Sequence, residues 1–231
     1  MGITLSQLDT ACSTAGRPVS RSWPIGRRLT VAAAGVAVAL GPIGCSSEES
    51  SNPPAPAPTT TSEATAAVEL SASGTLAAPD KASNAFTYDP ALAPPGAQLS
   101  VTLTPSDGST TAEFDASGLL PNRGYAVHLH TKPCGPTGDA AGPHFQYRVD
   151  PAATPEQPST DPEYANPDNE VWLDLRTDAT GSATASTEVP FTFTDRAPAS
   201  VVVHEEMATA TEPGQAGTAG DRVACLTLPK Q

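Results

Sequence analysis

The stretch "GYAVHLHTKPCGPTGDAAGPHF", residues 124–145, holds His128, His130 and His144, three of the four histidines in the chain. The fourth, His204, ends the run "SVVVH". Histidine is the commonest metal ligand among the side chains, because its neutral ring offers a lone pair near neutral pH. An H-x-H pair on a strand projects both rings from one face, about 6.6 Å apart along the backbone. That spacing suits two imidazoles converging on one ion through bonds of about 2 Å. His144 follows a turn-rich loop carrying Cys134, and His204 returns to the same face if the sheet folds over. The four histidines are read together as one metal site. Copper, zinc, nickel and iron all accept imidazole, but four nitrogens with no thiolate or carboxylate suit tetragonal Cu(II), whereas structural zinc more often recruits cysteine.

The elements that must position these rings are short and alternate between apolar and polar residues: "AQLSVTLTP", "STTAEFDASGLL", "RGYAVHLHT", "NEVWLDLRT", "GSATASTEVPFTF", "SVVVHEE" and "RVACLTL". Each is rich in β-branched residues and bounded by Gly, Pro, Asp or Asn, which is a strand pattern. Seven or eight such strands predict an all-β, antiparallel sandwich or barrel. "SDGS" at 106–109 and "TDATGSA" at 177–183 read as hairpin turns. Aromatic residues make up 5% of the chain, so Val, Leu, Ala and Ile must fill most of the core. One long connection, residues 145–168, carries no strand pattern after Val149. Loops of this length are functional or disordered, and one that starts directly after His144 points to function.

The formal net charge is −13. Without residues 1–44, which contain Arg17, Arg21, Arg27 and Arg28, 8 basic residues face 24 acidic ones, a net of −16. Such acidity argues against nucleic acid or an anionic lipid surface as an electrostatic partner. The N-terminus reads as an export signal: Arg27-Arg28, the apolar run "LTVAAAGVAVALGPIG", then Cys45. The run is shorter than the ~20 residues of a spanning helix. Gly44-Cys45 followed by "SSEESS" resembles a bacterial lipoprotein signal, in which Cys45 carries the lipid and holds the protein to a membrane. The organisation predicted is a signal over 1–44, a Ser/Thr/Pro-rich tether over 45–66 with nothing to bury, and a folded domain over 67–231. Cys12 leaves with the signal and Cys45 is the anchor, so Cys134 and Cys225 remain as one pair in an exported domain, where disulfides persist.

In chain order, "GYAVHLH", Cys134, "GPHF", "VVVHEE" and "GTAGDRVACL" resemble the copper/zinc superoxide dismutase family, from about residue 98 to 228. The resemblance implies an eight-stranded antiparallel Greek-key β-barrel or sandwich. It implies copper held by His128, His130 and His204, with His144 matching the ligand that in the family bridges copper to zinc. It pairs Cys134 with Cys225 in a disulfide and sets Arg222 beside the copper to attract and orient superoxide. The implied reaction converts superoxide to oxygen and hydrogen peroxide, with His144 as proton donor as well as ligand.

The chain also departs from that pattern. The family's zinc site needs two more histidines and an aspartate after the bridging histidine, and residues 145–203 contain no histidine. Zinc is therefore not expected, and the implied cofactor is copper alone. A metal-bound imidazole normally donates its other N–H to a carboxylate, carbonyl or water. Asp150, Asp161, Asp168 and Glu170 are the carboxylates available to His144. The segment "EEMATATEPGQAGTAGD" before Arg222 is shorter than the family's substrate-guiding loop and has no lysine. Since exposed charges are screened beyond about 8 Å, Arg222 and Lys132 would set the local sign for an incoming anion. The same site also fits a protein that buffers or delivers copper without turnover, which has no use for a cation beside its metal.

Overall fold

Alternation along two long strands builds the first half of the core. The structure is a computed structural model and describes residues 69–230. The expected signal, tether and Cys45 lie outside these residues. In chain order the strands are β1 (Leu70–Thr75), β2 (Ala85–Thr87), β3 (Gln98–Ser106), β4 (Ser109–Ser117), β5 (Gly124–Tyr125), β6 (Val127–His130), β7 (Leu175–Arg176), β8 (Ala183–Val189), β9 (Ser200–His204) and β10 (Arg222–Thr227). Between β6 and β7 lies one 3₁₀ turn, Gly138–Ala141. In β3 as far as Leu103, and along β4, every second residue is buried, and the register sets Leu99, Val101 and Leu103 opposite Ala116, Phe114 and Ala112. One sheet has the order β1-β3-β4-β8 and the other β2-β10-β9-β6, with β5 and β7 forming a short antiparallel pair. The chain passes between the two four-stranded sheets after β1, after β2, between β4 and β6, between β6 and β8, and after β8. This gives the antiparallel sandwich that the alternation predicted, with the Greek-key order that the resemblance implied. Among the described residues no helix is long and apolar enough to cross a membrane.

The second sheet is buried on both faces. Val127, Leu129, Val201, Val203 and Leu226 join the main core, while Val202 and Cys225 belong to a separate small cluster with Ala141. His128 and His130 alternate with Val127 and Leu129, so both rings lie on the face away from the main core. The disulfide Cys134–Cys225 ties the loop after β6 to β10 on that same face.

Of the two expected hairpin turns, one is present. Asp107 and Gly108 both have positive φ, 43° and 90°, and close the β3–β4 hairpin at 106–109. Residues 177–183 are not a hairpin turn: β7 pairs with β5 and β8 with β4, so the segment carries the chain from one sheet pair to the other. Asp178 organises it, accepting from the backbone of Thr180 and Ser182. These are the same Asx-type bonds that tighten a hairpin, which is why the local sequence reads alike. β1 and β2 were not visible as strands, because "LSASGT" offers little apolar alternation and β2 spans three residues.

Gly181 has φ +79°, and a Cβ there would run into the backbone carbonyl of Leu119. Gly181→Ala is expected to cost more than about 2 kcal/mol of stability, through strain and collision together. Urea unfolding checks this, and an unchanged midpoint would show that the crossover adapts freely.

Candidate metal centre

Strand register collects the four histidines. On β6, His128 pairs with Val202 and His130 with Ser200 of β9. Isolated bridges then set His144 opposite His130 and Trp172 opposite His128. His204 ends β9 opposite Arg222. One nitrogen from each of the four histidines lies within 4.8 Å of the other three, a group able to hold a metal ion. His128 and His130 are fully buried, and His144 and His204 are nearer the surface.

Hydrogen bonds fix which nitrogen of each ring carries its proton. A carbonyl only accepts, so His130 Nδ1 donates to Gly142 O (2.9 Å) and His204 Nδ1 to Gly220 O (3.3 Å). His144 Nδ1 donates to Glu170 Oε2 (3.0 Å). Thr209 Oγ1 donates to Asp174 Oδ1 (2.8 Å), leaving its lone pair to accept from His128 Nε2 (2.6 Å). The bare nitrogens left over are Nδ1 of His128 and Nε2 of the other three. His128 Nδ1 is buried with no hydrogen-bond partner. His130 Nε2 and His204 Nε2 stand 3.2 Å apart, and with both Nδ1 atoms protonated no hydrogen is left to lie between them. Converging lone pairs with no hydrogen between them repel one another and are relieved by a cation, so these residues fit a metal.

Burial keeps three of the rings neutral, as metal ligation requires. His128 and His130 are held well below the ordinary histidine value, first by burial and then by neighbouring histidines. His204 is lowered to about 3 for the same reasons, burial first and then His144.

Of the four expected carboxylates, Glu170 is the partner of His144. It is buried and accepts three donors: His144 Nδ1, Gln146 Nε2 (2.8 Å) and Trp172 Nε1 (2.8 Å). Asp150 instead accepts from Ser159 Oγ (2.6 Å) and Ala152 N (2.8 Å), which hold its carboxyl below the usual range. Asp161 accepts from Glu163 N and is exposed, as is Asp168. Arg222 is half-buried and donates from Nη1 to Gly138 O (2.8 Å) on the 3₁₀ turn. With His144 and His204 it lines one cavity of about 450 Å³. Lys132 is exposed and does not line that cavity, whereas Arg196 does. Sequence reading passed over Thr209, Asp174 and Arg196. Their role depends on contacts 35 to 81 residues apart in sequence, and no local motif signals them.

The copper/zinc superoxide dismutase (SODC) family model matches residues 98–227. The chain belongs to this family. No curated protein matches the chain. Among solved structures it is similar to a double mutant of a SOD-like protein from Bacillus subtilis, at 18% identity and TM-score 0.40, over 57% of this chain and 88% of that one. A single mutant of a SOD-like protein from the same organism gives 18% identity and TM-score 0.41 over 57% and 90%. In this family member the nitrogen of His144 that points away from the group meets a glutamate.

Two outcomes follow for the centre. An unfolded histidine titrates near 6.5, so below that pH the unfolded chain binds protons that the folded chain refuses. The stability of the metal-free chain is therefore full above about pH 6.5 and falls as the pH drops toward the folded-state value near 3. Each neutral histidine contributes a slope of about 1.4 kcal/mol per pH unit. Denaturant midpoints between pH 7.5 and 5, above the carboxylate range, check this; a flat profile would contradict neutral burial. Secondly, Glu170→Gln should weaken Cu(II) binding roughly 10–100-fold, read by competition with a chelator of known affinity.

Proposed function

We propose that the chain is an exported copper superoxide dismutase that works without a family-type zinc site. The observation that carries this reading is the set of four bare imidazole nitrogens aimed inward, with Arg222 on the rim of the same cavity. His128 Nδ1 and Nε2 of His130, His144 and His204 would hold the copper. Bound there, copper supplies a one-electron couple that oxidises one superoxide to oxygen and reduces the next, with two protons, to hydrogen peroxide.

The residues of the chain divide the remaining work. Arg222, anchored to Gly138 O, presents a fixed positive charge to an anion entering the cavity. Its neighbours across the strand and along the rim, His204 and His144, give that anion a short path to the centre. Among the four histidines only His144 has a carboxylate in direct hydrogen-bond contact. With its Nδ1 proton held by Glu170 Oε2 3.0 Å away, Nε2 is the atom at which His144 would take up and release a proton during turnover. Gly142 and Gly220 carbonyls and the Thr209–Asp174 pair hold the other three rings in place.

Export fits a disulfide, which persists in oxidising compartments. The proposal includes cleavage before Cys45 and lipid attachment there, placing the domain on the outer face of a membrane. The rival reading is a copper-buffering protein on the same fold, favoured by the absence of family-type zinc ligands.

The deciding experiment determines bound copper and zinc on the copper-loaded protein and follows superoxide decay directly on the same sample. One copper per chain, no zinc, and decay near the diffusion-limited range of ~10⁸–10⁹ M⁻¹s⁻¹ support the enzyme. Copper bound at the same stoichiometry with decay no faster than buffer would leave the buffering reading. Arg222→Ala is expected to slow decay roughly tenfold while leaving copper affinity nearly unchanged.

A further inference from the structure

The cavity beside the histidines is far larger than superoxide needs. Its volume, about 450 Å³, lies within the range of pockets that hold small organic molecules, roughly 300–1,000 Å³. A two-atom anion would leave most of it filled with water. The long loop after His144 contributes to the space: Val149, Ala153, Pro155 and Pro158 line it together with His144 and His204. Val149 is 58% exposed, a large apolar side chain left open to water at the cavity. Two arginines also line it. Arg222 uses one N–H on Gly138 O, and Arg196 donates from Nη2 to the carbonyls of Gln146 and Tyr147, so each guanidinium keeps other donors. The one carboxylate that lines the cavity, Glu170, is already engaged by three donors.

We propose that this cavity is a binding site for a small organic monoanion, a carboxylate on an apolar body of about benzoate size. The guanidinium fork of Arg222 matches a planar carboxylate, and the Pro, Ala and Val side chains cover the body. A ligand seated there stands over the open side of the four-histidine group. It would compete with superoxide for Arg222 and exclude water from the centre. The site is a property of the folded chain and does not depend on dismutation. Its location beside the metal rests on the copper reading above.

The test keeps the two apart. Saturation-transfer NMR on the metal-free full-length chain measures binding of benzoate, of acetate (the same head group without the body) and of benzyl alcohol (the body without the charge). Benzoate is expected to bind at least tenfold more tightly than either control. Arg222→Ala and Ala153→Trp, which remove the cation and fill the space from the loop side, should each weaken it at least tenfold. A circular dichroism spectrum and an unfolding curve confirm that both variants are folded. Repeating the titration on the Cu(II)-loaded chain should broaden the benzoate proton signals, because a ligand in this cavity lies close to a paramagnetic ion. Benzoate bound no better than acetate, or bound equally by the Ala153→Trp variant, would overturn the proposal. Binding to the metal-free chain with no Cu(II) broadening, on a sample shown to hold copper, would overturn the seat beside the centre. A chain that binds benzoate but takes up no copper would sink the copper reading and leave the organic-anion site standing.

Discussion

Everything in this domain is arranged around one constraint: a β-sheet buried on both faces, one face apolar and the other carrying imidazoles. The apolar face needs only the opposing sheet, which β3 and β4 supply through their alternating Leu, Val, Phe and Ala. The imidazole face cannot be covered by hydrocarbon alone, because each ring brings an N–H that costs free energy if left without a partner. Long connections therefore fold back over it and bring carbonyls, a hydroxyl and a carboxylate. Four rings receive four different partners, from Gly142, Gly220, Thr209 and Glu170. Those bonds decide the protonation of every ring, and so decide that the remaining lone pairs face inward.

A β-bulge contributes as much as the ligands do. Between Arg222 and Ala224 the register with β9 shifts, so that Arg222 rather than Val223 stands opposite His204. Val223 and Ala224, consecutive residues, both lie in the main core. Without that extra residue, strand alternation would send Arg222 toward the core and Val223 toward the histidines. The cation at the rim is thus a consequence of one inserted position on β10.

Much of this was legible in the sequence, for identifiable reasons. H-x-H on a strand carries its geometry with it, and "SVVVH" and "RVACL" are apolar runs whose partners follow once a second sheet is assumed. Cysteine arithmetic left only Cys134 and Cys225, which form the disulfide. Other features lay beyond it. Which of Asp150, Asp161, Asp168 and Glu170 meets His144 depends on how the loop returns, and the answer is set by the bridge between Gln146 and Glu170. Nothing near Thr209 or Asp174 marks them, since each acts on a strand distant in sequence. The segment at 177–183 misled because its aspartate makes hairpin-like bonds in a connection between two sheet pairs.

Asn169 gives the long loop a fixed base. Its side-chain amide donates to the carbonyls of Arg148 and Tyr164, and its oxygen accepts from Arg148 N. The two ends of the excursion are therefore stapled together one residue before Glu170. Inside that staple the loop still reaches Glu170: Gln146 donates to Glu170 Oε1 and accepts from Asp150 N, and Glu170 N donates to Asn166 O. Only the stretch 151–158, largely exposed, makes its hydrogen bonds within itself and to Asp150, so a change of length or composition there reshapes the entrance without touching a partner of Glu170. In a fold organised this way, the entrance to the four histidines is open to change where the chain bonds only to itself.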